Sequence, residues 1–331
     1  MAKRILWLLL LLIVVGGLLY FFVRRSGKPA ADTASIRLKW LHQAQFAGFY
    51  AAQMKGFYGN KGISVELKPG GVEFPAISAV ASGSDYFGVA GADQVLTSRA
   101  AGAPIVAIAV IYRATPMVLF SFRERNILDA KGMIGKRVGV KLGGNEELTY
   151  RAILHAAGVD SHQISEIPVK YDMTPLFDDL VDVWPGYTIN EVLTARENGH
   201  QLNVISPSQY GLRMYADTLF TTEDMISKNP ELVRKVVEAT IQGWQYAAAH
   251  PEEAARFGLN YDGKLNYDHE LAMMRESVPL LKPDDKPIGW MEPSEWDGLQ
   301  TLLLQQGFLK QPVDLSKAVD FRFVRDYYSG H

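Results

Sequence analysis

The chain has 331 residues, and its 34 lysine and arginine residues against 36 aspartate and glutamate residues give a formal net charge of −2 at pH 7. This balance argues against a nucleic-acid-binding protein, which normally carries a clustered excess of basic residues. The absence of cysteine excludes disulfides, thiolate nucleophiles, cysteine-ligated zinc and iron–sulfur clusters. At roughly 150 residues per domain, the length predicts two lobes.

The first thirty residues differ from the rest of the chain. Residues 5–23 contain no charged side chain, and a helix needs roughly 20 apolar residues to cross about 30 Å of hydrocarbon. Because a signal peptide usually has an apolar stretch of only about 7–15 residues, this run favours an uncleaved anchor over a cleaved signal segment. We predict that 1–30 form a transmembrane helix and tether in the inner membrane, with small polar residues at 26–35 leading to a body in the periplasm or another extracytoplasmic space.

Strand and helix patterns alternate beyond the tether. Strands are predicted at 36–41, 63–71, 85–91, 104–112, 135–144, 166–171 and 203–205. The segments between them have helical spacing, as at 146–158, and 181–187 is predicted as a helix-and-strand unit. The last third is mostly helical, with the clearest amphipathic helix at 230–250. This order predicts an α/β fold in which each lobe is a mostly parallel sheet flanked by helices.

Two extended segments, at 117–122 and 214–222, flank the second series of strands and helices. We infer that the chain enters the second lobe once and leaves it once. The predicted domains are 31–119 as the first part of lobe 1, 120–216 as lobe 2, and 217–331 as the largely helical second part of lobe 1. A cleft between the lobes is then the natural ligand site, because strand carboxyl ends from both sides face it.

Three stretches of sequence resemble one known family. KWLHQAQFAGFYAAQMKGFYGNKGISVEL at 39–67, ASGSDYFGVAGADQVL at 81–96 and DVWPGYTINE at 182–191 are similar to segments of periplasmic solute-binding proteins of the thiamine-pyrimidine-synthase-like and sulfonate-binding superfamily. The resemblance extends over nearly all of residues 36–310. It implies a type II periplasmic-binding-protein fold and delivery of a captured solute to an ATP-binding-cassette (ABC) permease. In the nearest branch it implies aminopyrimidine precursors of thiamine as ligands.

The superfamily also contains an enzyme, the fungal thiamine-pyrimidine synthase. That enzyme consumes one of its own histidine side chains, uses pyridoxal phosphate and iron, and carries a cysteine-rich signature. In the alignment Gln94 stands where the donor histidine would be, and this chain has no cysteine. We therefore expect a binding protein with no catalytic residue, cofactor or metal, and keep the synthase-like enzyme and a sensory ligand-binding module as alternatives. We also expect a monomer.

The first lobe contributes four candidate ligand contacts. Trp40 lies at the end of the first predicted strand, where its side chain would enter the cleft and an indole face suits stacking on a flat heteroaromatic ring. Gln45 lies in the following turn, and its neutral amide could hydrogen-bond to ring nitrogens. Asp93 and Gln94 open a helix after a buried strand, where Asp93 could cap the helix, contact the ligand, or do both.

A glycine pair, Gly143 and Gly144, separates a strand from a helix, an arrangement in which backbone N–H groups point into a cleft. Asn145 could cap that helix. Glu146 and Glu147 occupy its first turn, where they satisfy the helix dipole and would repel an anion. The pattern favours a neutral or cationic ligand, although a plain tight turn explains the glycine pair equally well.

The second lobe contributes an aromatic and acidic group, Trp184, Tyr187 and Glu191. With Pro185 in a first helical turn, Tyr187 and Glu191 are four apart and would share one helix face. In the thiamine-precursor branch, a tyrosine and a glutamate at this spacing resemble ligand contacts. An aminopyrimidine needs stacking for its ring and an acceptor for its amine, which these side chains offer. The alternative is a surface helix start beside a partly buried tryptophan.

Overall fold

The computed structural model describes residues 32–142 and 144–330. The predicted membrane span at 5–23 and the candidate Gly143 lie outside the described residues. Within the described ranges, no helix is both long enough and apolar enough to cross a membrane.

Strands and helices alternate through the first two thirds of the described chain, and helices dominate the last third. The strands are β1 (Asp32–Arg37), β2 (Ile63–Lys68), β3 (Phe87–Gly91), β4 (Ile105–Val110), β5 (Met117–Phe122), β6 (Arg137–Val140), β7 (Ser165–Pro168), β8 (Trp184–Tyr187), β9 (Leu202–Ile205) and β10 (Asp217–Thr222). The α-helices are α1 (Ala47–Met54), α2 (Phe57–Asn60), α3 (Ala76–Ala81), α4 (Ala92–Ala100), α5 (Asn145–Ala157), α6 (Thr174–Phe177), α7 (Glu191–Glu197), α8 (Glu223–Lys228), α9 (Pro230–Ala249), α10 (Pro251–Gly258), α11 (Tyr267–Leu281), α12 (Pro293–Gln305), α13 (Leu315–Ala318) and α14 (Arg322–Ser329).

The first sheet has the strand order β2-β1-β3-β10-β4. Strands β1, β2 and β3 pair in parallel, whereas β10 runs antiparallel to both β3 and β4. Every residue of β3 and of β4 is buried, although β4 is the last strand in this order. Isolated bridges join β4 to Gly289 and Val319 of the C-terminal third. The largest hydrophobic cluster of the described residues surrounds this sheet.

The second sheet repeats this arrangement. Strand β5 lies between β8 and β9 and runs antiparallel to both, while β6 and β7 pair in parallel. A parallel bridge between Val138 and Val183 connects β6 to the segment entering β8. Four parallel strands and one antiparallel strand therefore make up each sheet. Two smaller hydrophobic clusters pack against the second sheet.

The first strand begins earlier than the sequence suggested. We predicted a flexible tether to residue 35, but β1 starts at Asp32 and pairs with β2 in register from Asp32–Ile63 to Arg37–Lys68. Ser35 is buried at 7% exposure. The tether prediction is therefore wrong for 32–35, because hydrogen bonding to a neighbouring strand overrides the weak strand preference of small polar residues.

The segment around Pro185 also differs from the expectation. WPGY forms strand β8 at the edge of β5, and the helix begins only at Glu191. Pro185 lies directly opposite Leu119 of β5, in a strand rather than a first helical turn. The prediction that Tyr187 and Glu191 share a helix face is therefore wrong, because Tyr187 is the last residue of the strand.

Candidate functional site

A cavity of about 430 Å³ lies between elements of the two sheets. This volume is in the range of roughly 300–1,000 Å³ that small-molecule sites occupy. One side is formed by the loop after β1, the segment before α3 and the start of α4, and the other by the start of α5, the loop after β7 and the β8–α7 connection. Its lining residues are Lys39, Trp40, Gln43, Gln45, Gly71, Val72, Pro75, Ala76, Ile77, Val89, Ala90, Gln94, Gly144, Asn145, Glu146, Tyr171, Met173, Tyr187, Asn190, Glu191 and Thr194.

Hydrogen bonds with residues outside the cavity lining hold the loop after β1 in place. The Tyr112 hydroxyl donates to the backbone carbonyl of Gln45 at 3.0 Å, and the buried Glu270 carboxylate accepts from the backbone N–H of Ala44. The side-chain amide of Gln43 donates to Gln45 Oε1 at 2.6 Å. These bonds fix the loop that carries the cavity-facing amides, so the polar groups are arranged before any ligand binds.

Lys39 and Asp217 form an ion pair at the base of the cavity. Lys39 Nζ lies 3.1 Å from Asp217 Oδ1, and Gln45 Nε2 donates to Asp217 Oδ2 at 2.7 Å. Asp217 is 1% exposed, at the start of β10. Burial disfavours the charge on Lys39, but Tyr187 and Asp217 outweigh it and hold the pKa of the ammonium well above its ordinary value.

Hydrogen bonds join the two sides of the cavity. Lys39 Nζ donates to the hydroxyl oxygen of Tyr187 at 2.8 Å, and the Tyr187 hydroxyl donates to Asn145 Oδ1 at 3.4 Å. The amide of Asn145 donates to Asp93 Oδ1, also at 3.4 Å. Asn145 opens α5 without capping it, because its side chain is used across the cavity. The capping role predicted for Asn145 is therefore wrong.

Tyr171 and Trp40 form an aromatic wall from opposite sides of the cavity. Their ring centroids are 4.8 Å apart and the ring planes are inclined by 48°. Trp40 lies in the loop after β1, and Tyr171 in the loop after β7. Tyr171 is 48% exposed, so its ring is accessible to a ligand.

Glu191, Glu146 and Lys141 form an ionic corner on the second-sheet side. Lys141 Nζ lies 3.1 Å from Glu191 Oε1 and 3.9 Å from Glu146 Oε1. Glu191 Oε2 also accepts the backbone N–H of Tyr187 at 2.9 Å, which explains how the turn from β8 into α7 is closed. The same ammonium lies 5.0 Å from the ring centroid of Tyr171 and 5.7 Å from that of Trp184, both cation–π distances.

Asp93 and Gln94 occupy different positions at the start of α4. Gln94 lines the cavity and its Oε1 accepts the backbone N–H of Gly91 at 3.0 Å, so Gln94 closes the helix start. Asp93 is 5% exposed and lies behind the lining, where Asn145 contacts it. Burial raises the pKa of Asp93 above its ordinary value and outweighs the opposing influence of Lys39.

This raised pKa predicts how the Asp93→Asn variant responds to pH. The fold binds the Asp93 proton more tightly than the unfolded chain does, so the stability that the protonated carboxyl contributes is lost as pH rises through the folded-state pKa. Asp93→Asn should therefore be more stable than the wild type at neutral pH, and the difference should shrink as pH falls to about 4. Urea unfolding at both pH values measures this, with the exposed Asp178→Asn as control. A less stable Asp93→Asn variant at neutral pH would contradict it.

The structure brings seven of the ten sequence-predicted site residues to the cavity. These are Trp40, Gln45, Gln94, Gly144, Asn145, Tyr187 and Glu191. Asp93 lies behind the lining, and Trp184 is fully buried against the second sheet, so the cavity does not include it. Gly143 lies outside the described residues.

The sequence interpretation missed several residues that the structure places at or beside the cavity. Lys39 directly precedes Trp40 and could have been found as a charge beside a candidate contact. Asp217 lies within the extended segment predicted at 214–222, which flanks the second lobe and is where a residue can reach both sides. Tyr171 ends the strand predicted at 166–171, so it could have been found as an aromatic side chain at a strand end.

Comparison with known proteins gives a family for this chain. The model of the family described as "NMT1/THI5 like" matches residues 43–254. The chain is 25% identical over 312 residues to the riboflavin-binding protein RibY of Chloroflexus aurantiacus, covering 90% of this chain and 88% of that protein. It is 22% identical over 295 residues to the formylaminopyrimidine-binding protein of Halalkalibacterium halodurans, covering 87% and 89%.

Two further likenesses bear on fold and activity. A 4-amino-5-hydroxymethyl-2-methylpyrimidine phosphate synthase of Legionella pneumophila is 22% identical over 296 residues, covering 88% of this chain and 92% of that one. The periplasmic aliphatic sulphonate binding protein SsuA of Escherichia coli superposes with a TM-score of 0.70 at 15% identity, covering 87% and 92%. The chain belongs to the NMT1/THI5-like family and has the α/β fold of periplasmic binding proteins.

Proposed function

We propose that this protein is the extracytoplasmic solute-binding component of an ABC-type importer and that it captures a flat nitrogen heterocycle, most specifically a thiamine pyrimidine precursor. The observation that carries the proposal is the cavity itself, which combines the wall of Trp40 and Tyr171 with amide and carboxylate groups from both sides. Relatives named for binding riboflavin and formylaminopyrimidine support a heteroaromatic ligand.

The chemistry of the lining suits an aminopyrimidine. An indole face offers stacking, and an offset aromatic contact contributes about 0.5–1.5 kcal/mol beyond the area it buries. The Gln45 and Gln94 amides and the Glu191 carboxylate stand at the lining, where hydrogen bonds can orient a ring with several nitrogens. An aliphatic sulfonate would meet Glu146 and Glu191 as like charges, so the cavity disfavours it.

The connections between the two sheets allow ligand binding to change the conformation of the protein. The chain passes between the two sheets just before β5 and again just before β10, and each of these strands has a paired neighbour on both sides. A ligand that contacts both sides of the cavity stabilises the closed arrangement by its greater affinity for it. In this proposal the permease recognises the closed form, and the apolar run at 5–23 keeps the monomeric protein at the inner membrane.

A second candidate function is pyrimidine synthesis, which the name of the Legionella relative favours. Incubation of the purified protein with pyridoxal phosphate and iron, followed by mass spectrometry, tests it. Loss of mass from one histidine side chain together with release of a pyrimidine would establish the enzyme and displace the binding-protein proposal.

Calorimetric titration tests the binding proposal. We expect 4-amino-5-hydroxymethyl-2-methylpyrimidine or its formylamino relative to bind, and an alkanesulfonate not to bind. Binding of riboflavin instead would support a heterocyclic ligand but contradict the assignment of a pyrimidine. Trp40→Ala should weaken pyrimidine binding by about 1–3 kcal/mol, because the ring loses its stacking surface. Trp290→Ala, at a tryptophan that is absent from the lining, is the matched control. Equal affinity in wild type and Trp40→Ala would remove the stacking role.

A further inference from the structure

We infer that the site selects a heterocycle that carries a positively charged amine, and that Glu146 and Glu191 together bind this ammonium group. The inference rests on the proposed function and narrows it to cationic members of the ligand class. It is drawn from the charges around the cavity and from the position of the ionic corner next to the aromatic wall.

The charges around the cavity do not balance. Glu146 and Glu191 line it, Asp93 and Asp217 contact lining residues from behind, and the ammonium groups that face these carboxylates belong to Lys39 and Lys141. Even when Asp93 is left out of the count, the three carboxylates of Glu146, Glu191 and Asp217 face two ammonium groups. A buried or half-buried carboxylate without a full partner is costly, so a cationic ligand group is favoured here.

The excess negative charge lies in the ionic corner. At the base, Lys39 and Asp217 pair one to one. On the second-sheet side, the single Lys141 ammonium serves two carboxylates, at 3.1 Å from Glu191 and at the outer limit of an ion pair, 3.9 Å, from Glu146. The Glu146 and Glu191 side chains are only 14% and 13% exposed, so water screens them weakly.

The surroundings of Lys141 show what kind of group this corner accommodates. Its ammonium lies over the rings of Tyr171 and Trp184, which are electron-rich faces that attract cations. Tyr171, Glu146 and Glu191 line the cavity, so a ligand ammonium that approaches from the cavity side would lie near the Tyr171 ring and share the two carboxylates with Lys141. Charge-assisted hydrogen bonds to the carboxylates would then hold it more strongly than they hold a neutral hydroxyl group.

Tyr171 connects the corner to the aromatic wall. Its ring centroid is 4.8 Å from that of Trp40 and 5.0 Å from Lys141 Nζ. A ring that stacks on Trp40 therefore lies one side chain away from the two carboxylates. In this proposal, an amine on a short substituent of that ring, such as an aminomethyl group, extends past Tyr171 towards the corner.

The test uses two pyrimidines that differ in one group. 4-Amino-5-aminomethyl-2-methylpyrimidine carries an ammonium at pH 7, whereas the 5-hydroxymethyl compound is neutral and of nearly the same shape. Calorimetric titration of the full chain with each gives the ratio of the two dissociation constants. We expect the aminomethyl compound to bind at least about tenfold more tightly, in line with the greater strength of charge-assisted hydrogen bonds.

Three variants locate the selectivity. Glu146→Gln and Glu191→Gln should each reduce the ratio, and the double variant should bring it close to one, since glutamine keeps the shape and an acceptor but loses the charge. Glu147→Gln, which removes the same charge from the neighbouring position outside the cavity lining, should leave the ratio unchanged. Because the ratio compares two ligands on one protein, a general loss of stability or affinity does not alter it.

The outcomes separate the two proposals. If both pyrimidines bind but the hydroxymethyl compound binds as tightly or more tightly, the charge inference is overturned and the binding function stands. A wild-type preference that survives in the double variant also overturns it, since other groups would then recognise the amine. If neither pyrimidine binds, the proposed function fails and the inference fails with it.

Discussion

Replacing Asp217 with alanine is expected to lower the free energy of unfolding by about 3–5 kcal/mol, because the change leaves the Lys39 ammonium, whose side chain is only 15% exposed, without its anion. Asp217 is 1% exposed and pairs with Lys39 at 3.1 Å. The substitution also takes away the acceptor of the Gln45 amide. Lys39 and Gln45, the two residues that Asp217 contacts, line the cavity, so pyrimidine binding should be lost together with stability. Urea unfolding and calorimetric titration measure the two effects.

A double variant distinguishes the uncompensated charge from simple loss of packing. Lys39→Met keeps the length of the side chain and removes its charge, so Lys39→Met/Asp217→Ala should recover a large part of the lost stability. Recovery of stability without recovery of binding would indicate that the ion pair serves the site. If the double variant is less stable than Asp217→Ala, the ion pair is not the source of the loss.

Replacing Gly243 with alanine is expected to destabilise the fold by about 3 kcal/mol or more, because helices α1 and α9 touch at their backbones there. A β-carbon at Gly243 would lie 2.1 Å from the carbonyl oxygen of Gly48 and 2.7 Å from Ala52 Cβ. The obstructing atoms belong to a backbone and to a methyl group, so they cannot rotate away, and the helices must separate. Thermal or urea unfolding measures the loss.

A matched control exists in helix α12. Gly298 is exposed, and a β-carbon there would have no heavy atom within 4 Å. Gly298→Ala should therefore stabilise the protein by about 0.5–1 kcal/mol through helix propensity alone. If Gly243→Ala changes stability by the same small amount as Gly298→Ala, the close approach of the two helices is not a constraint on the fold.

The strand and helix alternation was predictable because its signals are local. Buried strands such as β4 are continuous apolar runs, and their pattern is readable without knowledge of their neighbours. The start of β1 was not predictable in this way, since Asp32 and Thr33 are held by β2, which is more than twenty residues away. Pro185 misled for a related reason: proline is common in a first helical turn but is also tolerated in strands, and pairing with β5 decides between the two.

The site residues likewise divide into those that local sequence signals can predict and those that only the fold brings together. Tyr187 and Glu191 were found from the family resemblance and from an expected shared helix face that the structure does not contain. Trp40 was found because an aromatic residue at a strand end is where ligand contacts in α/β folds occur. Trp184 satisfied the same rule, but its side chain points to the other face of the sheet, as alternate strand residues do. The Lys39–Asp217 pair joins residues 178 positions apart, and only the fold brings them together.

The last strand of the first sheet follows all strands of the second sheet in the sequence, and this sets the order in which the two sheets can be completed. Strand β10 separates β3 from β4, so the first sheet stays divided until residues 217–222 have been synthesised, although its other strands all lie before residue 111. The second sheet needs nothing beyond Ile205. During synthesis on the ribosome, the first sheet therefore begins before the second sheet but is completed after it. The strand that completes it, β10, also brings Asp217 next to Lys39.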